Sequence, residues 1–194
     1  MLLTPTVLLS AYSTGIFPMA DDSGEIGWYD PDPRAILPLD ESFHISHSLA
    51  RRLRHNEFEI RADSAFREVM LACAGPAPGR EQTWISDQFV SAYTRLHHLG
   101  FAHSLEAWQD GKLVGGLYGV TLGGLFAGES MFHYQTDASK VALVHLTDRL
   151  RTNGFILHDV QFMTEHLRSF GAMQIPREEY KAQLAQALKM NTRF

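Results

Sequence analysis

The chain has 194 residues, 45% hydrophobic and 20% charged, with a formal net charge of −5. That length supports one domain with at most a small appendage, and a chain of this size buries about 70% of its unfolded surface without staples. The acidic balance excludes a bulk nucleic-acid binder but leaves room for a local basic patch, the single cysteine excludes an internal disulfide, and no apolar run reaches membrane-spanning length.

The apolar start, Met1 to Ser10, has no basic leader and no Ala-x-Ala-like site, which argues against a signal peptide. A lone Cys73 fits a reducing cytoplasm. A short helix is expected over Val7 to Thr14, stopping at Gly15. Gly15 to Met19 reads as a rigid apolar turn. The stretch Gly24 to Arg34, with Pro31, Pro33, Asp30 and Asp32, reads as turn and extended backbone. A subdomain seam is placed there, dividing a short N-terminal subdomain (1–32) from the main domain (33–194).

Ala35 to Leu39 is expected as a first strand. His44 to His55 reads as a helix, with Ile45, Leu49 and Leu53 on one side and His47, Arg51, Arg54 and His55 on the other. Phe58 to Ile60 is a short strand. Asp63 is placed as the cap of a helix through Cys73, and Ala74 to Gln82 as a Gly- and Pro-rich loop. Ser86 begins a helix through Leu99, ended by Gly100. Three strands follow, Ala102 to Trp108, Leu113 to Val120 and Leu125 to Phe132. The turns Gln109 to Lys112 and Thr121 to Gly124 make them an antiparallel meander. A helix over 138–152, a strand Phe155 to Val160, a helix Met163 to Phe170, a strand Ala172 to Ile175 and a helix from Arg177 complete the chain. This is an α/β (mixed α+β) order, a central mixed sheet with helices on both faces. It resembles the GNAT acyltransferase superfamily, although fold alone does not fix function.

Glu129 is the sharpest single residue. A carboxylate among Leu125, Phe126, Met131 and Phe132 is costly unless a cation or hydrogen bond meets it. An internal ion pair and an anchor for an incoming ammonium group carry about even weight. Strict alternation would put Phe126 and Glu129 on opposite faces, so a shared pocket requires a bulge near Gly128. The segment Gly128 to Phe132 narrowly misses the G-x-S-x-G nucleophile elbow, because Phe132 replaces the second glycine. Ser130 is therefore not assigned as a nucleophile.

Asp159 and Gln161 lie two apart on a strand, so their side chains emerge on one side. An aspartate beside an amide can orient it and raise the accepting power of its oxygen. Two ordinary polar residues at a strand end carry equal weight. Lys140 sits in the first turn of a helix, where a cation needs a partner. Trp84 and Trp28 are ordinary packing residues or stacking platforms for unpaired bases. Arg51, Arg52 and Arg54 form a dense basic run, a solvated face or a set of phosphate contacts. The ten histidines show no metal-binding spacing, so no metal is assigned.

The segments Gly15 to Pro18, Trp28 to Arg34, Thr83 to Ile85, Gly115 to Val120, Leu125 to Phe132, Ala138 to Lys140 and Asp159 to Gln161 together resemble the leucyl/phenylalanyl-tRNA–protein transferase family. The resemblance runs through nearly the whole chain in order. It implies a cytoplasmic bacterial enzyme, without cofactor, that moves leucine or phenylalanine from aminoacyl-tRNA onto an N-terminal Arg or Lys; methionine, also unbranched at Cβ, is expected to fit the same pocket. The product would enter N-end rule degradation. By position, Glu129 would hold the aminoacyl group, with Leu117, Phe126, Gly128 and Met131 lining its side-chain pocket and Leu146 and Leu150 closing it. Trp84 would contact the terminal adenosine, with Tyr93 and Met19 nearby. Asp159 and Gln161 would sit at the reacting amine, and Arg51 and Arg54 would face the acceptor stem. Three departures stand out: Met19 replaces a frequent tryptophan, His158 replaces an apolar neighbour of the pocket, and the N-terminal domain reads as short, with only a few residues before Tyr12.

Two rivals remain at this stage. A CoA-dependent N-acetyltransferase of the same fold would want a glycine-rich pyrophosphate loop before the helix at 138, and His133 to Asp137 contains no glycine. A non-catalytic tRNA- or degron-binding module would have no need of Asp159 with Gln161.

Overall fold

The computed structural model describes residues 3–21, 23–76 and 83–194. Helix α1 (Pro5–Ser13) opens the chain, with the Thr4 hydroxyl accepting from the Val7 N–H and Pro5 at its first position, where a missing N–H costs nothing. It stops before Gly15, whose φ of +77° suits a residue without Cβ. The next segment departs from expectation. Strands β1 (Phe17–Ala20) and β2 (Ile26–Tyr29) form a two-stranded antiparallel sheet, where the sequence reading had a turn and an extended stretch. Pro18 and the turn residues around Asp21 masked a pair of strands only four residues long each.

The main sheet has seven strands: β3 (Arg34–Leu37), β4 (Glu59–Ala62), β5 (Ala102–Gln109), β6 (Lys112–Leu122), β7 (Leu125–His133), β8 (Leu157–Gln161) and β9 (Met173–Ile175). Their order is β4-β5-β6-β7-β8-β3-β9. The β5-β6-β7 meander is antiparallel as expected, and β7 and β8 are the parallel pair. A parallel neighbour requires a crossover, supplied by α5 (Ala138–Thr152) over the range predicted. Around this sheet lie α2 (His47–His55), α3 (Phe66–Ala74), α4 (Asp87–His98), the single turn α6 (Glu165–Arg168) and α7 (Arg177–Ala187). The fold is the mixed α/β class read from the sequence.

Side chains alternate along the strands and feed two cores, one on each face. Tyr118, Leu125 and Ala127 join α1, α3, α4 and α7 on one side. Leu117, Phe126 and Leu105 join α2 and α5 on the other. Gly115 lets α5 descend onto the sheet, since a Cβ there would lie 2.5 Å from that of Ala138.

Asp63 does not cap α3. Its φ is +57° and its carboxylate accepts from the Ser104 N–H and meets His103 Nδ1 at 2.8 Å. The fully buried Glu106 serves that helix start instead, accepting from the Ser64 and Ala65 N–H groups at 3.1 Å. A cap supplied from a strand forty residues away leaves no local signal. Of the predicted loop Ala74 to Gln82, residues 77–82 lie outside the described residues.

Candidate functional site: a cavity at the parting of two strands

Strands β7 and β8 pair at Leu125 with Leu157, Phe126 with His158 and Ala127 with Asp159, where their pairing ends. Beyond that point Gly128 to Met131 on one strand and Val160 to Phe162 on the other line a cavity of about 880 Å³. The β6–β7 register explains how one strand offers both its faces. Tyr118 pairs with Ser130 but Gly119 with Gly128, which leaves Glu129 as the extra residue of a β-bulge. The required bulge is therefore present, and Phe126, Gly128, Glu129 and Met131 all line the same space. Gly119 assists, since a Cβ there would come within 2.5 Å of the Phe126 ring.

Glu129 meets no cation in hydrogen-bond range among the described residues. Its Oε1 accepts from the Tyr12 hydroxyl at 2.6 Å and from Gln161 Nε2 at 3.4 Å. Tyr93 in turn lies 2.5 Å from the Tyr12 oxygen. With Tyr12 donating to the carboxylate, Tyr93 donates to Tyr12, a two-step relay of hydroxyls. Burial is the main reason the Glu129 carboxyl is pushed up to about 8, with the nearby Asp159 charge adding and the Tyr12 hydrogen bond opposing. Burial likewise raises Tyr12 and Tyr93, so both hydroxyls stay protonated.

Asp159 is built the opposite way. Arg34 clamps it with two parallel bonds, Nε to Oδ1 at 2.8 Å and Nη2 to Oδ2 at 2.6 Å. The Tyr180 hydroxyl donates to Oδ2 at 2.8 Å, and the Gln161 backbone N–H to Oδ1 at 2.9 Å. Arg34 also donates to the Gly15 carbonyl and stacks between the Phe17 and Tyr180 rings, so it ties the N-terminal segment and α7 to β8. The Asp159 link to Gln161 thus runs through the backbone. It holds Gln161 at φ +58°, a left-handed conformation for which this hydrogen bond compensates.

Most of the residues singled out in the sequence do converge. Met19, Trp84, Leu117, Phe126, Gly128, Glu129, Met131, Leu146 and Gln161 line the cavity. Trp84 stands edge-on to Phe89 with ring centres 5.1 Å apart. Three do not reach the wall. Asp159 is wholly buried behind it, Tyr93 is wholly buried with its hydroxyl directed to Tyr12, and Leu150 lies in the core beneath α5. Leu150 follows Leu146 by a little over one helical turn, about 6 Å further along the axis, which carries it past the cavity. Arg51 lines a separate polar depression with Ser48, Arg52, His55, Glu57 and Asp137, and Arg54 is exposed on the same helix. Asp137 also lines the main cavity, so the two are contiguous. Lys140 has a partner, Asp137, at 2.8 Å.

Sequence reading missed Tyr12, Arg34 and Tyr180 as members of the site. For Arg34 a signal existed, since a charged residue opening the apolar strand Arg34–Leu37 needs a buried partner. Tyr12 and Tyr180 lie on amphipathic helices, where a buried tyrosine looks like any other core residue.

Fold and cavity together define a mixed α/β protein whose sheet opens around a largely apolar recess that holds the Glu129 carboxyl and the Gln161 amide. Residues 36–185 match the family model described as leucyl/phenylalanyl-tRNA protein transferase, and residues 1–32 match that described as its N-terminal domain. The chain belongs to this family. It is 59% identical to the leucyl/phenylalanyl-tRNA–protein transferase of Herpetosiphon aurantiacus, over 99% of this chain and 98% of that one. It is 54% identical to that of Paramagnetospirillum magneticum, over 96% and 90%. Among solved structures it is similar to L-PGS from Bacillus licheniformis at a TM-score of 0.47 and 12% identity, over 84% of this chain and 54% of that one.

Proposed function

We propose that this protein transfers leucine or phenylalanine, and methionine, from aminoacyl-tRNA to the N-terminal Arg or Lys of an acceptor protein. The observation that carries this reading is Glu129: a carboxylate placed by a bulge in a largely apolar cavity, with hydroxyl and amide donors but no cation in hydrogen-bond range among the described residues. An α-ammonium group supplies the missing charge, while the side chain of the same amino acid fills the apolar walls of Leu117, Phe126, Met131 and Leu146.

In the transfer, the acceptor amine attacks the ester carbonyl. A C–N bond forms, the C–O bond to the terminal ribose breaks, and the amine proton ends on the released ribose oxygen. The ester is already activated, so positioning dominates, and orientation alone can contribute roughly 7–11 kcal/mol. With its NH2 turned to Glu129, Gln161 keeps its amide oxygen to accept a hydrogen bond from the attacking amine. Asp159 acts through the Gln161 backbone as a positioning residue. Trp84 and Met19 flank the space left for the terminal adenosine, and the α2 face of Arg51 and Arg54 follows the acceptor stem. Ile and Val are disfavoured because a branch at Cβ is stiff, incompletely so since one methyl is worth about 1–3 kcal/mol.

On the same reading, residues 1–32 form a small N-terminal subdomain on a GNAT-like body (33–194), the compartment is the cytoplasm, and the product is marked for N-end rule degradation. The test is transfer of labelled leucine from Leu-tRNA to a peptide beginning with Arg. Incorporation with no acetyl transfer from acetyl-CoA is expected. Acetylation would favour the CoA reading, and tRNA binding without transfer the non-catalytic one.

A further inference from the structure

The wall of the cavity holds a polar group that the transfer chemistry leaves unused. His158 lies on β8 beside Phe126, its ring edge-on to that residue with centres 5.3 Å apart. It is 2% exposed, and it lines the cavity together with Leu117, Phe126 and Leu146. Its Nδ1 has no hydrogen-bond partner among the described residues. Its Nε2 points toward the backbone of the bulge, where a Cβ on Gly128 would come within 3.4 Å of it. Gly128 also lines the cavity, so this edge of the imidazole faces the space left open by the missing side chain.

An apolar side chain would fill this position at no cost in polar desolvation, whereas an unpartnered imidazole is costly. The cavity, about 880 Å³ in volume, has room for water beside the ring. A leucine or phenylalanine donor displaces that water without replacing its hydrogen bond, while a side chain with a polar tip can gain one. Burial pushes the His158 ring down to about 4, against a smaller opposing effect of Asp159, so near neutral pH it is uncharged and offers one N–H and one lone pair.

We propose that His158 is a specificity-determining residue that extends the donor range to side chains ending in a hydrogen-bonding group, with the tyrosine phenol as the representative case. This rests on the aminoacyl-transfer reading of the cavity. An apolar pocket discriminates weakly against an added hydroxyl, whereas a pocket with a partner for it favours it. The imidazole turns tolerance into use.

The experiment compares tyrosyl- and phenylalanyl-adenosine as minimal donors to an Arg-peptide, in the wild-type protein, H158L and H158Q. The expected result is measurable tyrosine transfer by the wild type, a tyrosine-to-phenylalanine ratio of kcat/KM about tenfold lower in H158L, and a ratio largely restored in H158Q. Phenylalanine transfer retained by H158L shows that the variant folds. Should H158L lose all transfer, the ratio in H158Q against H158N, whose shorter amide cannot reach as far, decides: a lower ratio in H158N supports the proposal and equal ratios overturn it. Phenylalanine transfer without tyrosine transfer by the wild type, or an unchanged ratio in H158L, overturns this inference and leaves the transferase reading intact. Transfer of neither donor overturns both.

Discussion

Two carboxylates on neighbouring strands, Glu129 and Asp159, have opposite surroundings. Asp159 is 0% exposed and has a bidentate guanidinium, a phenol and a backbone N–H around it. Glu129 has a phenol and a side-chain amide, and two charges reach it: that of Asp159, which raises its carboxyl, and that of Arg34 beyond, which lowers it. Burial acts on both, yet one site carries its own cation and the other does not. A buried carboxylate with a full set of partners fixes structure. One with donors but no cation in hydrogen-bond range is raised toward the neutral form. The amide of Gln161 joins the two, its backbone on Asp159 and its side chain on Glu129.

The largest effect that can break this contrast comes from removing the cation of the closed site. R34A leaves Asp159 buried without its guanidinium, and breaking such a pair costs roughly 3–5 kcal/mol, a large share of a typical 5–15 kcal/mol stability. Chemical denaturation should register this loss, along with near-complete loss of transfer. If R34A kept wild-type stability, Asp159 would not be the structural partner described. D159N should cost a comparable amount, since it leaves the buried Arg34 guanidinium without its counter-charge and turns an NH2 toward groups that themselves donate. It should still lower the single-turnover rate by weakening the hold on Gln161.

E129Q should behave in reverse. It removes the anchor proposed for the donor ammonium while keeping the bulge, so kcat/KM for the aminoacyl donor should fall about 10- to 100-fold, the range for losing a charge-assisted hydrogen bond. Its stability should not fall. Equal transfer by E129Q and wild type would sink the anchor role.

How much of this contrast was legible follows from where its parts come from. The β5-β6-β7 meander and α5 were readable because period-2 alternation, hairpin turns and a 15-residue amphipathic run are local signals. Glu129 was readable as a charge among apolar residues, and the bulge as the condition for sharing a pocket with Phe126. The donors that set its character, Tyr12 and Tyr93, sit 117 and 36 residues away in sequence (129 − 12 and 129 − 93), and only the tertiary fold brings them in. Asp159 was read as facing the reaction. Its true surroundings depend on Arg34 and Tyr180, which meet it from β3 and α7. The fold was written in local periodicity, whereas the role of each carboxylate was written in long-range partners.

A finer separation of the two carboxylates comes from pH. A carboxyl raised to about 8 from 4.5 makes the folded state the stronger proton binder between those values. Its contribution to stability is therefore intact below about pH 4.5 and is lost as pH rises through about 8. E129Q does not titrate, so its stability relative to wild type should improve between pH 6 and pH 9, by roughly 2 kcal/mol given that Glu129 retains some exposure to the cavity. A constant difference across that range would mean that Glu129 is ionised throughout, and the site would already hold its charge when empty.

The smallest effect tests how far the open site extends. Arg51 and Arg54 on α2 share the depression or the helix that adjoins the cavity across Asp137. Arg52 is already engaged, with Glu57 at 2.5 Å and Asp137 at 3.7 Å, so it is the less available of the three. If Arg51 and Arg54 contact backbone phosphates, each Ala substitution should weaken tRNA binding only severalfold near physiological salt. Each should also reduce the slope of log affinity against log salt by about one. Transfer from aminoacyl-adenosine, which carries no acceptor stem, should be unchanged, because neither residue lines the cavity. A drop in transfer from the minimal donor would place these arginines in the chemistry. A full-length tRNA that binds both variants with the wild-type salt slope would remove α2 from the path of the acceptor stem.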